Sequence, residues 1–482
     1  MKPTPLETPQ SLCSFGVARG DVTPPVGIYH RMWGAASHER STGVHRPLTA
    51  TAAFIAPPNQ PSAGIVLVAL DHCLLWDLEA QKVLDIVAAR AGIAREQLLV
   101  AFSHTHAAGL MDTGRADRPG GDLIAPYLAD LAERLACLVA EAMAQAEPTT
   151  LCYGLGRCNL AAHRDTFDEA GGRFVCGFNP DGPADDTLML VRATSAEGRT
   201  LATMVNYACH PTTLAWQNTL ISPDFPGAMR EVVEQATGAP CLFLQGASGE
   251  LGPREGFVGD PAVADRNGRQ LGHAALSAFE AMPPPRTRFE YAGPVESGAV
   301  IGTWRHAPLD ANRLRDLEVW DLKRWSVDLS YRPDLPTAES TREDRTRWER
   351  EEQAALARDD RARAAECRAF VERMDRQLVR IGNLSPGPTF PFDVLLWKTG
   401  GAVWLAVGAE HYQHLQVELR RRSPHAAIVV LTLVNGWQPG YLPTASAYDR
   451  GIYQADVAVL AAGSLELLTE TIAAQIAEWF PT

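Results

Sequence analysis

Short apolar runs recur along the chain, and most are followed by a stretch whose apolar residues fall three and four positions apart. GIVLVAL (64–70) is continuously apolar, as in a strand buried on both faces, and helical spacing follows from about 78 to 91. LLVAF (98–102) reads as another strand, with a helix behind it near 125–145. TMVNYA (203–208) and CLFLQ (241–245) predict strands, and helices are expected near 226–236 and 262–281. Strand-like runs return at FDVLLW (392–397), AVWLAVG (402–408) and AIVVLTLV (427–434), before a final amphipathic helix over about 463–479. This alternation predicts an α/β fold of mixed sheets covered by helices.

One segment interrupts the pattern. From about 309 to 380 charge dominates, as in WEREEQAALARDDRARAAECRAFVERMDRQL, with apolar residues at helical spacing. It predicts a solvated helical hairpin or insertion without a catalytic role. No internal repeat or low-complexity linker divides the rest, so 1–482 is expected to form one domain carrying the 309–380 insertion.

Composition narrows the class. Hydrophobic residues make up 46% and charged residues 21%, a globular balance that excludes a disordered chain. The formal net charge of −13 argues against nucleic acid or an anionic membrane as the main partner. Nine cysteines form no CxxC pair, so neither a disulfide framework nor a cysteine zinc knot is indicated. The first twenty residues lack an apolar core, and no secretory signal is expected. The longest apolar stretch, 64–76, is too short to span a bilayer and contains Asp71 and His72. The expectation is a soluble, cytoplasmic protein with a small-molecule substrate and no transmembrane segment; its oligomeric state stays open.

Candidate chemistry gathers just past the strands. Ser103-His104-Thr105-His106 follows the run 98–102, and imidazoles two apart in extended chain point to one side, a good half-site for zinc. His210 follows 203–208 in NYACHPTT, where Pro211 turns the chain. Glu410 follows 402–408, and Tyr441 lies in the loop 435–444 after 427–434. Ligands collect beyond the carboxyl ends of strands in open α/β sheets, so four strand ends offering His, His, Glu and Tyr form one candidate site. Each residue also has a plainer reading, as a loop or core histidine, a helix-start carboxylate or a packed tyrosine. Asp71, at another strand end, is a candidate to orient a ligand histidine or to cap a helix. QGASGE (245–250) begins like a nucleophile elbow around Ser248, but Glu250 replaces the last glycine.

Together these motifs resemble the N-terminal catalytic domain of the neutral, non-lysosomal ceramidase family, particularly its short bacterial relatives. The resemblance is carried by GVARGDVTPPVG (16–27), GVHRPLTATA (43–52), FSHTHAAG (102–109), FNPDGP (178–183), VNYACHPTT (205–213) and LISPDFPG (220–227). FLQGASGELGPR (243–254), VGAEHY (407–412) and NGWQPGYLPT (435–444) complete it.

The resemblance implies a Zn2+-dependent hydrolase acting on an amide, ester or lactone. By motif, zinc would be held by His104, His210, Glu410 and Tyr441, with His106 beside the attacking water, Arg164 contacting substrate and Tyr453 stabilising the oxyanion. Two positions depart from the family: Gly252 stands where ceramidases carry a serine, and His163 where an asparagine precedes the arginine. The family's C-terminal immunoglobulin-like domain is not expected. A small polar substrate is therefore favoured over ceramide, with Trp33, Trp304, Trp437 and His163 as pocket candidates. Other readings stay open: a serine hydrolase using Ser248, a metal-assisted lyase or isomerase, and a non-catalytic ligand-binding homologue.

Overall fold

The computed structural model describes residues 3–437 and 439–480. An eight-stranded sheet runs in the order Cys241–Gln245, Thr200–Tyr207, Thr187–Ser195, Glu147–Arg157, Gln10–Asp21, Thr49–Ala56, Ile65–Leu70, Leu98–Phe102. The outermost pair at each end is parallel, bridged by the helix Asp77–Ala91 on one side and Phe225–Thr237 on the other. The inner pairs are antiparallel. Parallel strands need helical crossovers and are covered on both faces, which is why 65–70, 98–102 and 241–245 read as unbroken apolar runs.

A second sheet, in the order Trp320–Ser330, Thr389–Thr399, Ala402–Val407, Ala427–Leu431, packs face to face on the first. Side chains alternate between the layers. Leu242 and Leu244 face the second sheet, whereas Cys241 and Phe243 face the helices. Between the sheets, Trp397 and Trp404 are fully buried and stacked, their rings 5.3 Å apart. Helices Asp77–Ala91, Ile124–Ala144, Phe225–Thr237 and Pro261–Glu280 cover the outer face of the large sheet. Helices His414–Arg422 and Ser464–Trp479 cover that of the small one. The layers therefore run helix, sheet, sheet, helix, as an α/β chain with mixed, covered sheets. Among the described residues no helix is long and apolar enough to cross a membrane.

The segment 309–380 differs from the all-helical insertion expected of it. Trp320–Ser330 is a strand paired along its whole length with Thr389–Thr399. Trp325, Val327 and Leu329 alternate with exposed Arg324, Ser326 and Asp328, a period of two hidden by the charged surroundings. Only Ala338–Ala357 and Arg361–Gly382 form the helical hairpin, held together by Trp348 stacked on Phe370 at 4.2 Å.

The hairpin is docked by buried charge. Arg115 donates to Glu372 at 2.7 Å and to the Tyr29 hydroxyl at 2.6 Å, and Arg368 donates to the other Glu372 oxygen at 2.7 Å. Burial works against the Glu372 charge, but the arginines outweigh it and hold the carboxyl below its ordinary range. Arg376 adds a hydrogen bond to the Met32 carbonyl.

Truncating one partner leaves a buried charge uncompensated. Glu372→Ala is therefore expected to cost roughly 3 kcal/mol in chemical denaturation, and to speed proteolytic cutting at the 358–360 turn. Unchanged stability and cutting would show that the hairpin docks by other means.

Candidate active site

The strand Leu98–Phe102 runs out into Ser103 and His104, where the backbone turns left-handed at φ 69°. The second sheet makes the same kind of exit at Ala409, φ 63°, just before Glu410. Such turns cost a side-chain-bearing residue roughly 1–3 kcal/mol, and here both aim a polar group toward one point. Glu410 lies beside Tyr441 in a short parallel bridge, so the loops after two neighbouring strands present their side chains together. Gln438, in the Tyr441 loop, lies outside the described residues.

Four chain segments from two sheets thus meet. Glu410 Oε2 lies 2.9 Å from His210 Nε2 and 3.4 Å from His104 Nε2. The Tyr441 hydroxyl is 3.5 Å from His210 Nε2. The donor atoms of His104, His210 and Glu410 all fall within 4.8 Å of one another.

The far side of each imidazole settles its tautomer. His104 Nδ1–H donates to the Cys73 carbonyl at 2.8 Å, and His210 Nδ1–H donates to the Ser248 carbonyl at 2.7 Å. A carbonyl only accepts, so in the neutral rings both Nε2 lone pairs face the Glu410 carboxylate. Two lone pairs and an anion repel unless a proton or a cation sits among them. His104 Nε2 is buried and makes no hydrogen bond. This donor set, two carbonyl-anchored imidazoles with a carboxylate and a phenol, fits a borderline-soft divalent cation such as zinc.

Charge within the cluster is unequal. Burial opposes the Glu410 charge, but His104 and His210 hold its carboxyl well below the ordinary range. Burial pushes His210 down to about 4, and burial with the neighbouring imidazoles pushes His106 far down. For His104 burial acts the same way, yet Cys73 and Glu410 outweigh it and raise its pKa well above the usual value.

His106 stands beside this cluster, its ring 4.9 Å from that of His104, and its Nε2 is buried without a partner. Arg164 donates to the Gly249 carbonyl at 2.6 Å and to the Tyr441 hydroxyl at 3.1 Å. Tyr453 is partly exposed, its ring edge-on to Tyr441 at 6.0 Å. All seven expected site residues therefore occupy one region, and His106, Arg164, Tyr441 and Tyr453 line a cavity of about 400 Å³.

Other expectations fail on position. Asp71 is taken by a buried pair with Arg230, at 3.0 and 2.5 Å, and by Thr49, so it orients no site histidine. Ser248 is buried, accepts from Gln245 at 2.6 Å and lies 3.3 Å from His210 Nδ1, which is already occupied in donating to the Ser248 carbonyl, so that nitrogen is not free to take the serine proton. Of the pocket candidates only Trp33 lines the cavity. Trp437 packs against Trp76 in the core, Trp304 lies on an outlying hairpin against Phe289, and His163 pairs with Leu251.

The glycine-rich segment has a packing role. A Cβ at Gly249 would lie 2.8 Å from the Glu410 carbonyl oxygen and from the Tyr412 ring, so only glycine lets this loop support the Glu410 strand. At Gly252 a Cβ would meet only Thr212 Oγ1 at 3.5 Å and the Arg164 side chain at 3.9 Å, which is open space beside the cavity.

Sequence patterns did not reveal Trp216, Phe257, Thr212, or the hairpin residues Arg373, Arg376 and Arg380, all of which line the cavity. A readable signal existed for the last three. Arginines at i, i+3 and i+7 of a helix share one face.

No protein-family model matches this chain, and no curated protein matches it in sequence. Solved structures do match in fold. Neutral ceramidase from Pseudomonas aeruginosa aligns over 99% of this chain and 76% of its own, with TM-score 0.63 and 16% identity. A ceramidase complexed with C2 aligns over 98% of this chain and 76% of its own, with TM-score 0.64 and 16% identity. The chain has the fold of neutral ceramidase.

His210→Ala removes one of the three converging donors while leaving the sheets intact. Metal measured by mass spectrometry on purified protein is expected to fall from about one ion per chain to near none. Gly249→Ala, which displaces Glu410 without deleting a donor, is expected to lower retention on dialysis. Stoichiometric metal in His210→Ala would contradict the site.

Proposed function

We propose that the chain is a zinc-dependent hydrolase that cleaves an amide bond of a small substrate, with an ester or lactone as the chemical variant of the same reaction. The observation that carries this reading is the convergence of His104 Nε2, His210 Nε2 and Glu410 Oε2, both imidazoles anchored through Nδ1 by backbone carbonyls. The fold shared with neutral ceramidase supports it.

His104, His210, Glu410 and Tyr441 would hold the ion. Bound there, zinc would lower the pKa of a water toward ~7 and polarise the carbonyl to be attacked. Water adds to the carbonyl carbon, the C–N bond breaks, and the products are an acid and an amine. His106 would move the proton. His106 lines the cavity and its buried Nε2 has no partner; in this scheme the imidazole takes the proton from water and delivers it to the leaving nitrogen. Arg164, fixed by Gly249 and Tyr441, and the Tyr453 hydroxyl supply positive charge and a donor for the developing oxyanion. Because water is the nucleophile, the absence of a side-chain hydroxyl at Gly252 does not break this scheme.

His106→Ala is expected to keep the metal and lose roughly 10²–10⁴-fold in turnover of an amide panel. Equal turnover in wild type and His106→Ala would remove His106 as the proton carrier. Stoichiometric zinc with no turnover of any amide, ester or lactone would favour a binding protein instead.

A further inference from the structure

The cavity beside the site has two unlike walls. One is aromatic, where Trp33 lies against His106 with ring centroids 5.2 Å apart, and Trp216 and Phe257 meet Trp33 edge-on at 6.2 and 5.7 Å. The other is the helix Arg361–Gly382, which presents Arg373, Arg376 and Arg380. Arg164 adds a fourth guanidinium at the floor.

Three of these four cations have no direct ion-pair partner among the described residues. Among the described residues no carboxylate lies within 4 Å of Arg164, Arg376 or Arg380, and Arg373 reaches Asp456 only at 3.8 Å. Glu372, the acidic residue of this wall, is already engaged by Arg115 and Arg368. Arg164 Nε and Arg376 Nε are buried and unpartnered, as is Thr212 Oγ1. A guanidinium only donates, so the missing partner must be an acceptor, and several like charges around one small space favour an anionic one. The chain as a whole carries −13, so this is a local concentration of positive charge against the general field.

We infer that the cavity takes an amphipathic carboxylate, of the N-acyl amino acid class, with its apolar group against Trp33, Trp216 and Phe257 and its carboxylate on Arg376 and Arg380. The inference rests on the hydrolase reading only for the bond that is cut; the preference for an anion stands on the cavity alone. A guanidinium pair reads a carboxylate by parallel N–H···O bonds that a neutral isostere cannot match. A cavity of about 400 Å³ is at the small end of ligand sites and suits one aromatic acyl group with an amino acid.

The test separates binding from turnover. Binding of 4-phenylbutyrate and 4-phenylbutanol, which contain no hydrolysable bond, is measured by calorimetry on the intact protein and on Arg376→Gln and Arg380→Gln. The acid is expected to bind about tenfold or more tighter than the alcohol in wild type, and the ratio to fall toward one in the variants. Among the described residues Arg380 makes no side-chain hydrogen bond, so its variant reports on the ligand even where Arg376→Gln loosens the hairpin. In parallel, N-benzoylglycine is expected to be hydrolysed with higher kcat/KM than N-benzoylglycinamide.

Arginine-dependent preference for the acid without hydrolysis of either amide would support the cavity assignment and sink the hydrolase reading. Hydrolysis with no preference for the acid would overturn the cavity assignment and leave the hydrolase. A preference for the acid that survives both substitutions would put the carboxylate on the metal site rather than on the helix, and would also overturn it.

Discussion

Two backbone carbonyls set the character of this site. The Cys73 carbonyl holds His104 Nδ1–H, and the Ser248 carbonyl holds His210 Nδ1–H. Each bond leaves the opposite nitrogen with its lone pair turned toward Glu410. Rotating either ring, or moving the proton to the other nitrogen, would dissolve the donor set. Those carbonyls are fixed by the loops that follow Ile65–Leu70 and Cys241–Gln245, so the orientation of the imidazoles is inherited from the large sheet. The carboxylate and the phenol come from the small one. The cluster therefore depends on the packing of the two sheets, where Trp397 and Trp404 fill the space between them.

The same dependence extends outward. Gly249 lets one loop pass against the Glu410 strand, and its carbonyl then holds Arg164 against Tyr441. The helical hairpin closes the other side through the buried Arg115–Glu372 pair, and in doing so turns a charged helix face into a cavity wall. A buried ion pair contributes little net stability against an apolar alternative, but it tolerates only one registration of the hairpin. That specificity is what a cavity wall needs.

How much of this was readable differs by level. Strands buried on both faces announce themselves as apolar runs, so 65–70, 98–102, 241–245 and 402–407 were legible to within a residue or so. Trp320–Ser330 was not, because only one of its faces is covered and its other positions carry charge. The residues at strand ends were legible as types, His104, His210, Glu410 and Tyr441, but not as neighbours, since two sheets contribute them. The carbonyl anchors leave no trace in a sequence, because any residue at 73 or 248 supplies one. Asp71 misled for the opposite reason. A carboxylate at a strand end suits several partners, and Arg230, 159 positions away, is the one that meets it.

X-ray absorption at the zinc edge on the purified protein tests the central claim most directly. Zinc on the proposed donors would have only nitrogen and oxygen neighbours near ~2.0 Å, with more distant scattering from two imidazoles. Cys73 lies 3.5 Å from His104 Nδ1, and with His104 and His106 it forms the rival grouping. A sulfur neighbour near ~2.3 Å would place the ion there and contradict the account. So would a spectrum with one imidazole or none.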